Sequence, residues 1–252
     1  MKLLDALEAH TGIVCAVGAG GKKTTLYALA SEHPGPIGLT TTVFMTQFSR
    51  RLGPHAEVIS DADDLAPIVR EAASRERVVA WARPTEKSGR VAGVAPGSVS
   101  ACHAAGGFDV TYVKADGARM RGIKAPREGE PAIPPEADLV LPIVAATVIG
   151  RPLDADTAHR PERLTAVTGL EHGAAITAET VGRLLSASDG ALQDVPDGAR
   201  IVPVINAVDD DAHEREARHA AAIALAGSPR IERVVLTRHD RGGHHVVAVV
   251  ER

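Results

Sequence analysis

Gly18-Ala19-Gly20-Gly21-Lys22-Lys23-Thr24-Thr25 is the stretch on which the reading of this chain turns. An apolar run, Gly12-Ile13-Val14-Cys15-Ala16-Val17, leads into it, and Leu26-Tyr27-Ala28-Leu29-Ala30 follows with apolar residues at helical spacing. The pattern is strand, glycine-rich turn, helix. Glycines let backbone N–H groups converge on an anion without a Cβ in the way. The helix N-terminus adds unpaired donors and the positive end of its dipole. A lysine supplies a full charge, and a threonine hydroxyl can ligate Mg²⁺. Few ligands other than a phosphate call for all four devices together.

The stretch departs from the phosphate-loop pattern G-x-x-x-x-G-K-[ST]. With Gly21-Lys22 as the G-K pair, the first glycine falls on Ala16 and the hydroxyl position on Lys23. With Lys23-Thr24 as the K-T pair, Val17 and Lys22 stand where glycines belong. Either lysine can therefore face the phosphates. A dinucleotide loop of the Rossmann type is disfavoured. Lys23 occupies its last glycine position, and the next strand ends in Leu39-Thr40-Thr41-Thr42 without the acid expected about 20 residues on. The plain alternative is an ordinary glycine-rich turn before a helix.

Composition narrows the classes. A chain of 252 residues is long enough for a sizeable core and is expected to form a single α/β domain over 1–252, with small insertions near 82–97 and 145–195. A net charge of −4 without a polybasic run argues against nucleic acid and membrane-surface binding. No apolar stretch approaches the ~18 residues of a membrane span, and the N-terminus is too polar for a signal peptide. Two cysteines, Cys15 and Cys102, lack metal-site spacing and make no disulfide framework, which fits a reduced, cytoplasmic protein. Lysine is scarce, with six residues against 22 arginines. Lys22, Lys23, Lys114 and Lys124 all stand in or beside motifs.

Taken in order, the chain alternates strands and helices. A short helix over 2–10 precedes the loop. Thr41 and Thr42 close a strand at the end where a ligand crevice would lie, although threonine also suits strands for its own sake. A helix is expected over Asp61 to Ala73, a surface hairpin turn within 86–95, and a helix from Pro96. Asp109-Val110-Thr111-Tyr112-Val113-Lys114-Ala115-Asp116 is a strand ending in the natural candidate for a Mg²⁺-linked acid. A loop carrying Arg119, Arg121 and Lys124 follows. His159 and Arg160 lie in irregular chain, either touching an anion or serving as surface partners. Two helices fill 161–187, with Thr177 as a cap. Val204-Ile205-Asn206-Ala207-Val208-Asp209 is a strand whose polar end either contacts a base or caps the next helix, with Asp209 or Asp210 as that cap. Two closing strands, Ile231 to Thr237 and His244 to Val250, would pair through Asp240-Arg241-Gly242-Gly243. The alternation predicts a mostly parallel sheet with helices on both faces, in three layers like a P-loop NTPase.

Gly18 to Thr25, Thr40-Thr41-Thr42, Lys114-Ala115-Asp116-Gly117-Ala118-Arg119, Glu130-Pro131-Ala132-Ile133-Pro134, Val148 to Leu153, His159-Arg160 and Asn206-Ala207-Val208-Asp209 occur in that order. In this ordered set the chain resembles the YqeC family, proposed accessory proteins of selenium-dependent molybdenum hydroxylases. The family loop reads GAGGKT, where a second lysine intervenes here. Its Asn-x-x-Asp segment often carries Lys second, where Ala207 stands here. The resemblance implies nucleotide binding, with ATP or GTP and Mg²⁺. It also implies a partner that is a molybdenum hydroxylase or a cofactor-maturation protein. On this reading Lys22, Lys23, Asp116 and Arg119 serve catalysis, Thr24 or Thr25 ligates Mg²⁺, and Asp116 holds that ion directly or through water. Asn206 and Asp209 take the base. Thr41, Thr42, Arg121, Lys124, His159 and Arg160 face a second substrate. The rival readings are a nucleotide-switched binding module with little turnover and a kinase or ligase acting on a small acid.

Overall fold

The computed structural model describes residues 1–49, 53, 55–240 and 243–252. Helix α1 (Leu3–Leu7) precedes strand β1 (Gly12–Gly18), and the glycine turn leads into α2 (Lys22–Glu32). Then come β2 (Ile37–Thr41), β3 (Met45–Thr46), β4 (Ala56–Ile59), α3 (Ala66–Ala73), β5 (Val78–Ala82) and β6 (Arg90–Val91). The middle of the chain holds α4 (Val99–Gly106), β7 (Val110–Lys114), β8 (Ile123–Lys124), β9 (Leu139–Ala145) and β10 (Ala158–His159). After α5 (Pro161–Thr168) and α6 (Ala178–Ser186) come β11 (Arg200–Ile201), β12 (Val204–Asn206), α7 (Asp211–Gly227), β13 (Arg233–Asp240) and β14 (Gly243–Glu251).

Ten strands form one sheet in the order β14-β13-β12-β9-β1-β7-β2-β5-β4, with β11 also beside β9. All its pairings are parallel except β13 with β14. Parallel strands are covered on both faces and need apolar residues at nearly every position. β9 is buried along its whole length. Alternate side chains go to opposite faces. Ile13, Cys15 and Val17 join the core shared with α3, α4, α6 and α7, whereas Val14 and Ala16 pack with α1 and α2. This is the expected α/β architecture, a three-layer, P-loop-like arrangement. No helix among the described residues is long and apolar enough to cross a membrane.

Sheet order and register build the site. β1 lies between β7 and β9, and Gly12 to Ala16 pair with Val110 to Lys114. Gly18 and Asp116 therefore leave the same sheet edge side by side. β12 lies one strand beyond β9, which brings Asn206 to that edge too.

Local differences from the expected elements have local causes. Helix α3 begins at Ala66 instead of Asp61, because Pro67 fits a helix only in its first turn. Asp64 Oδ1 accepts the Ala66 N–H at 2.9 Å, so its carboxylate caps that start from outside. The turn within 83–92 closes through an Arg83–Ala92 bridge, and β6 then pairs with distant β3. Thr177 does cap α6, in a reciprocal box with Thr180. The closing strands pair as expected, while the turn residues Arg241 and Gly242 lie outside the described residues.

The cap of α7 is Asp210, whose Oδ1 accepts the His213 N–H at 2.7 Å. Asp209 is exposed and is not the cap. Asp210→Ala is thus expected to lower the urea midpoint of unfolding. Asp209→Ala should stay within about 0.5 kcal/mol of the parent. Urea unfolding of the two variants checks this, and equal losses would contradict the assignment.

Candidate functional site

The loop between β1 and α2 is tied to its neighbours at its start and open along its rest. Gly18 N–H donates to Asp116 Oδ2 at 2.8 Å, and Ala19 N–H to the Ile143 carbonyl at 2.8 Å. From Gly20 through Thr24, five successive N–H groups have no hydrogen-bond acceptor among the described residues. The α-helical ladder resumes only with Thr25 N–H on the Gly21 carbonyl, at 2.9 Å. Two glycines are required here. Gly20 has φ 89°, and a Cβ there would stand 2.5 Å from the Ala145 nitrogen. Gly21 has φ 135°, and a Cβ would run into the Asn206 amide. Asn206 is buried beneath the loop, with its Nδ2 donating to the Gly20 carbonyl at 2.9 Å and its Oδ1 accepting from Thr237 Oγ1 at 3.0 Å. One end of its amide holds the loop, and the other is held by β13.

A chain of alternating charges runs outward from the loop. Lys22, the first residue of α2, folds back so that its ammonium meets the Gly18 carbonyl and lies 2.8 Å from Asp116 Oδ1. The Asp116 contact is an ion pair without the alignment of a hydrogen bond. Lys124 Nζ lies 3.1 Å from Asp116 Oδ2 and 2.7 Å from Glu130 Oε2, and donates to the Gly117 carbonyl at 2.9 Å. Arg160 grips Glu130 with two bonds of 2.7 and 3.0 Å. Lys22, Lys124 and Asp116 are buried. Uncompensated charges at such depth are costly, and deleting one partner of a buried pair typically loses about 3–5 kcal/mol.

Ionisation follows this layout. Burial lowers the Lys22 ammonium, against the opposing pull of Asp116. Lys114, whose Nζ donates to the Asp116 carbonyl at 2.6 Å, is pushed down to about 7 by burial and then by the Lys22 charge. Burial raises Glu130, but Arg160 and Lys124 together outweigh it and hold the carboxyl at about 2. Its contribution to stability is therefore complete above its ordinary value of 4.5 and is lost as pH falls toward 2. His159 is lowered by burial and then by Arg160 and Lys124.

The residues singled out in the sequence fall into three groups. Gly18 to Lys22, Asp116, Lys124, Asn206 and, through Glu130, Arg160 form one connected set. His159 joins them because β10 pairs with β8, setting it beside Lys124. A second group serves neighbouring backbone. Thr41 Oγ1 bonds to the carbonyls of Val43 and Lys114, and Thr42 Oγ1 to that of Ala132. Arg121 Nε donates to the Ala155 carbonyl at 2.5 Å. The third group opens outward. Arg119 is exposed at φ 45°, next to Met120, which is 99% exposed. Lys23 turns along α2, donating to Thr46 Oγ1 at 2.6 Å, with its ammonium 5.4 Å from the centre of the Tyr27 ring. Lys23 and Thr24 line a groove of about 490 Å³ with Tyr27, Ser31 and His244. The ambiguity between the two lysines thus resolves to Lys22 on the Asp116 side. Glu130 and Lys114 were not singled out as site residues. Glu130 stands in the Glu-Pro-Ala-Ile-Pro segment and Lys114 two residues before Asp116, and those positions were the available signals.

Thr24 and Asp116, the expected Mg²⁺ pair, do not make a matched donor set here. Mg²⁺ is usually bound by one or two carboxylates, waters and substrate oxygens. Asp116 has one oxygen on the Gly18 N–H and Lys124 and the other facing Lys22, with its side chain 3% exposed. Thr24 belongs to the groove along α2 instead. The Thr25 hydroxyl is fully buried and has no hydrogen-bond partner among the described residues.

Comparison with known proteins agrees with the family resemblance. The family model described as YqeC protein matches residues 14–162, from β1 through the start of α5. The uncharacterized protein YqeC of Escherichia coli (strain K12) is 29% identical over 201 residues, covering 77% of this chain and 75% of that one. The matched span includes the glycine loop, Asp116, Lys124, Glu130 and Arg160, and on this match the chain belongs to the YqeC family.

Proposed function

We propose that the chain binds ATP or GTP, with the phosphates on the N–H groups of Gly20 to Thr24. The observation that carries this reading is the run of five open donors beside the Lys22 ammonium. An anion there gains directed hydrogen bonds, the dipole of α2 and full positive charge. The amides of Lys22 to Thr24 are unpaired as at any helix start, and Gly20 and Gly21 extend the run outward, with Asn206 clamped beneath them.

Chemistry at such a site rests on positioning and electrostatics. Lys22 and Lys124 flank Asp116 and can share charge that develops on a transferring phosphoryl or nucleotidyl group. Arg119 stands at the outer rim for an anionic second substrate, and His159 and Arg160 border the network beside Lys124. From the family resemblance we place this transfer or hydrolysis in the maturation of a molybdenum hydroxylase or its selenium- or molybdenum-containing cofactor. The partner would be that hydroxylase or another maturation protein. Charge pairs running from Lys22 to Arg160 favour a second reading, a nucleotide-switched binding module. An anion that draws Lys22 away from Asp116 would re-pair the chain as far as α5, and a two-state element of this kind can signal without rapid turnover. Basal turnover with and without a cognate hydroxylase separates the two. Acceleration by the partner supports the enzyme, and tight binding with no turnover supports the switch.

Replacing Lys22 and Lys23 together by Ala is expected to abolish nucleotide-induced thermal stabilisation. Affinity should be measured per folded protein, because the exchange also leaves Asp116 short of a partner. Undiminished binding would contradict the proposal. Base preference is a separate expectation. Asp209 is released from capping, so if its carboxylate reads guanine, GTP should bind better than ATP. Asp209→Asn should then shift preference toward xanthine nucleotides, because a wrong base leaves polar groups unpaired. Titrations of parent and variant with GTP, ATP and XTP check this, and unchanged preference would show that Asp209 does not read the base.

A further inference from the structure

We infer that the phosphate charge is neutralised by the chain's own lysines, so that nucleotide binds without a divalent ion. This rests on the phosphate reading of the loop. With Lys22 established as the loop lysine on the Asp116 side, the next position is the one at which a phosphate loop carries its metal-binding hydroxyl. That position is Lys23. Its side chain is a cation in place of a cation's ligand. Among the described residues it has no carboxylate partner, only the Thr46 hydroxyl and the Tyr27 ring.

The acidic half of a metal site is committed as well. An ion approaching Asp116 would have to displace the Lys22 and Lys124 ammonium groups and the Gly18 N–H from a carboxylate that solvent hardly reaches. Mg²⁺ gives up its own waters reluctantly, so nothing favours that exchange. The network instead carries a surplus of positive charge. Lys22, Lys124 and Arg160 converge on Asp116 and Glu130, with Lys23 one residue away, and Lys114, pushed down to about 7 beside them, gains its full charge only when an anion is near. A free triphosphate complements that surplus, whereas a magnesium-bound one has already spent half its charge on the metal. Four of the chain's six lysines are gathered here.

Calorimetric titration of the full chain with ATP, GTP and inorganic tripolyphosphate, in excess EDTA and again in excess Mg²⁺, tests this. Dissociation constants in EDTA are expected to equal or lie below those in Mg²⁺. A loss of about tenfold or more in EDTA overturns the inference while leaving the phosphate reading standing. Absence of binding for all three ligands under both conditions overturns both. Lys23→Thr restores the Gly-Lys-Thr order and is expected to lose about tenfold in EDTA and to regain affinity with Mg²⁺. Lys23→Gln, which keeps the length of the side chain, is expected to show the loss without the regain. If both variants bind in EDTA as the parent does, Lys23 carries no phosphate charge and the inference fails.

Discussion

A single buried carboxylate organises this molecule. Asp116 accepts the Gly18 N–H, faces the Lys22 ammonium and holds Lys124, three partners from the end of β1, the start of α2 and β8. A charge at this depth is tolerable only when every neighbour is in place. β7 must therefore lie beside β1, in the register observed. The loop after β7 must return as β8, and α2 must begin at Lys22. Glu130 and Arg160 extend the same requirement outward, which is how residues 30 positions apart come to share one electrostatic unit with the glycine loop.

The loop itself is held by groups that leave its outer surface open. Asn206 secures it from below through Gly20, and Ile143 and Asp116 take the amides of Ala19 and Gly18. Anchoring of Gly18, Ala19 and the Gly20 carbonyl fixes the place from which the next amides start. Pre-ordering of this kind reduces the entropy lost on binding. Lys22 closes over the loop from the protein side, while Lys23 faces the groove along α2.

Much of this was legible in the sequence. The apolar runs before Gly18, Asp116 and Asn206 announced parallel strands, and their polar ends announced the edge where the site lies. Thr177 and the helix after Asp210 were readable because capping is local chemistry. Pro67 was a local signal that had more weight than the acidic residues before it, and it moved the start of α3 to Ala66. Other features depend on contacts the chain makes only when folded. β8 and β10 are two residues each, too short for any periodicity, yet their pairing brings His159 beside Lys124. The choice between Lys22 and Lys23 could not be made from spacing, because each alignment of the loop satisfies only part of the phosphate-loop pattern and both lysines fit a helix start. Glu130 reads as an ordinary loop acid until Lys124 and Arg160 are seen on its two oxygens.

The central claim is that the N–H groups of Gly20 to Thr24 form an anion site. Amide-resolved NMR of the labelled protein, titrated with inorganic tripolyphosphate, tests it without assuming a base, a metal or a reaction. The account predicts the largest shifts at Gly20, Gly21, Lys22, Lys23 and Thr24, with saturation as the site fills. Shifts confined to other parts of the chain, with those five amides unmoved at saturation, would contradict it.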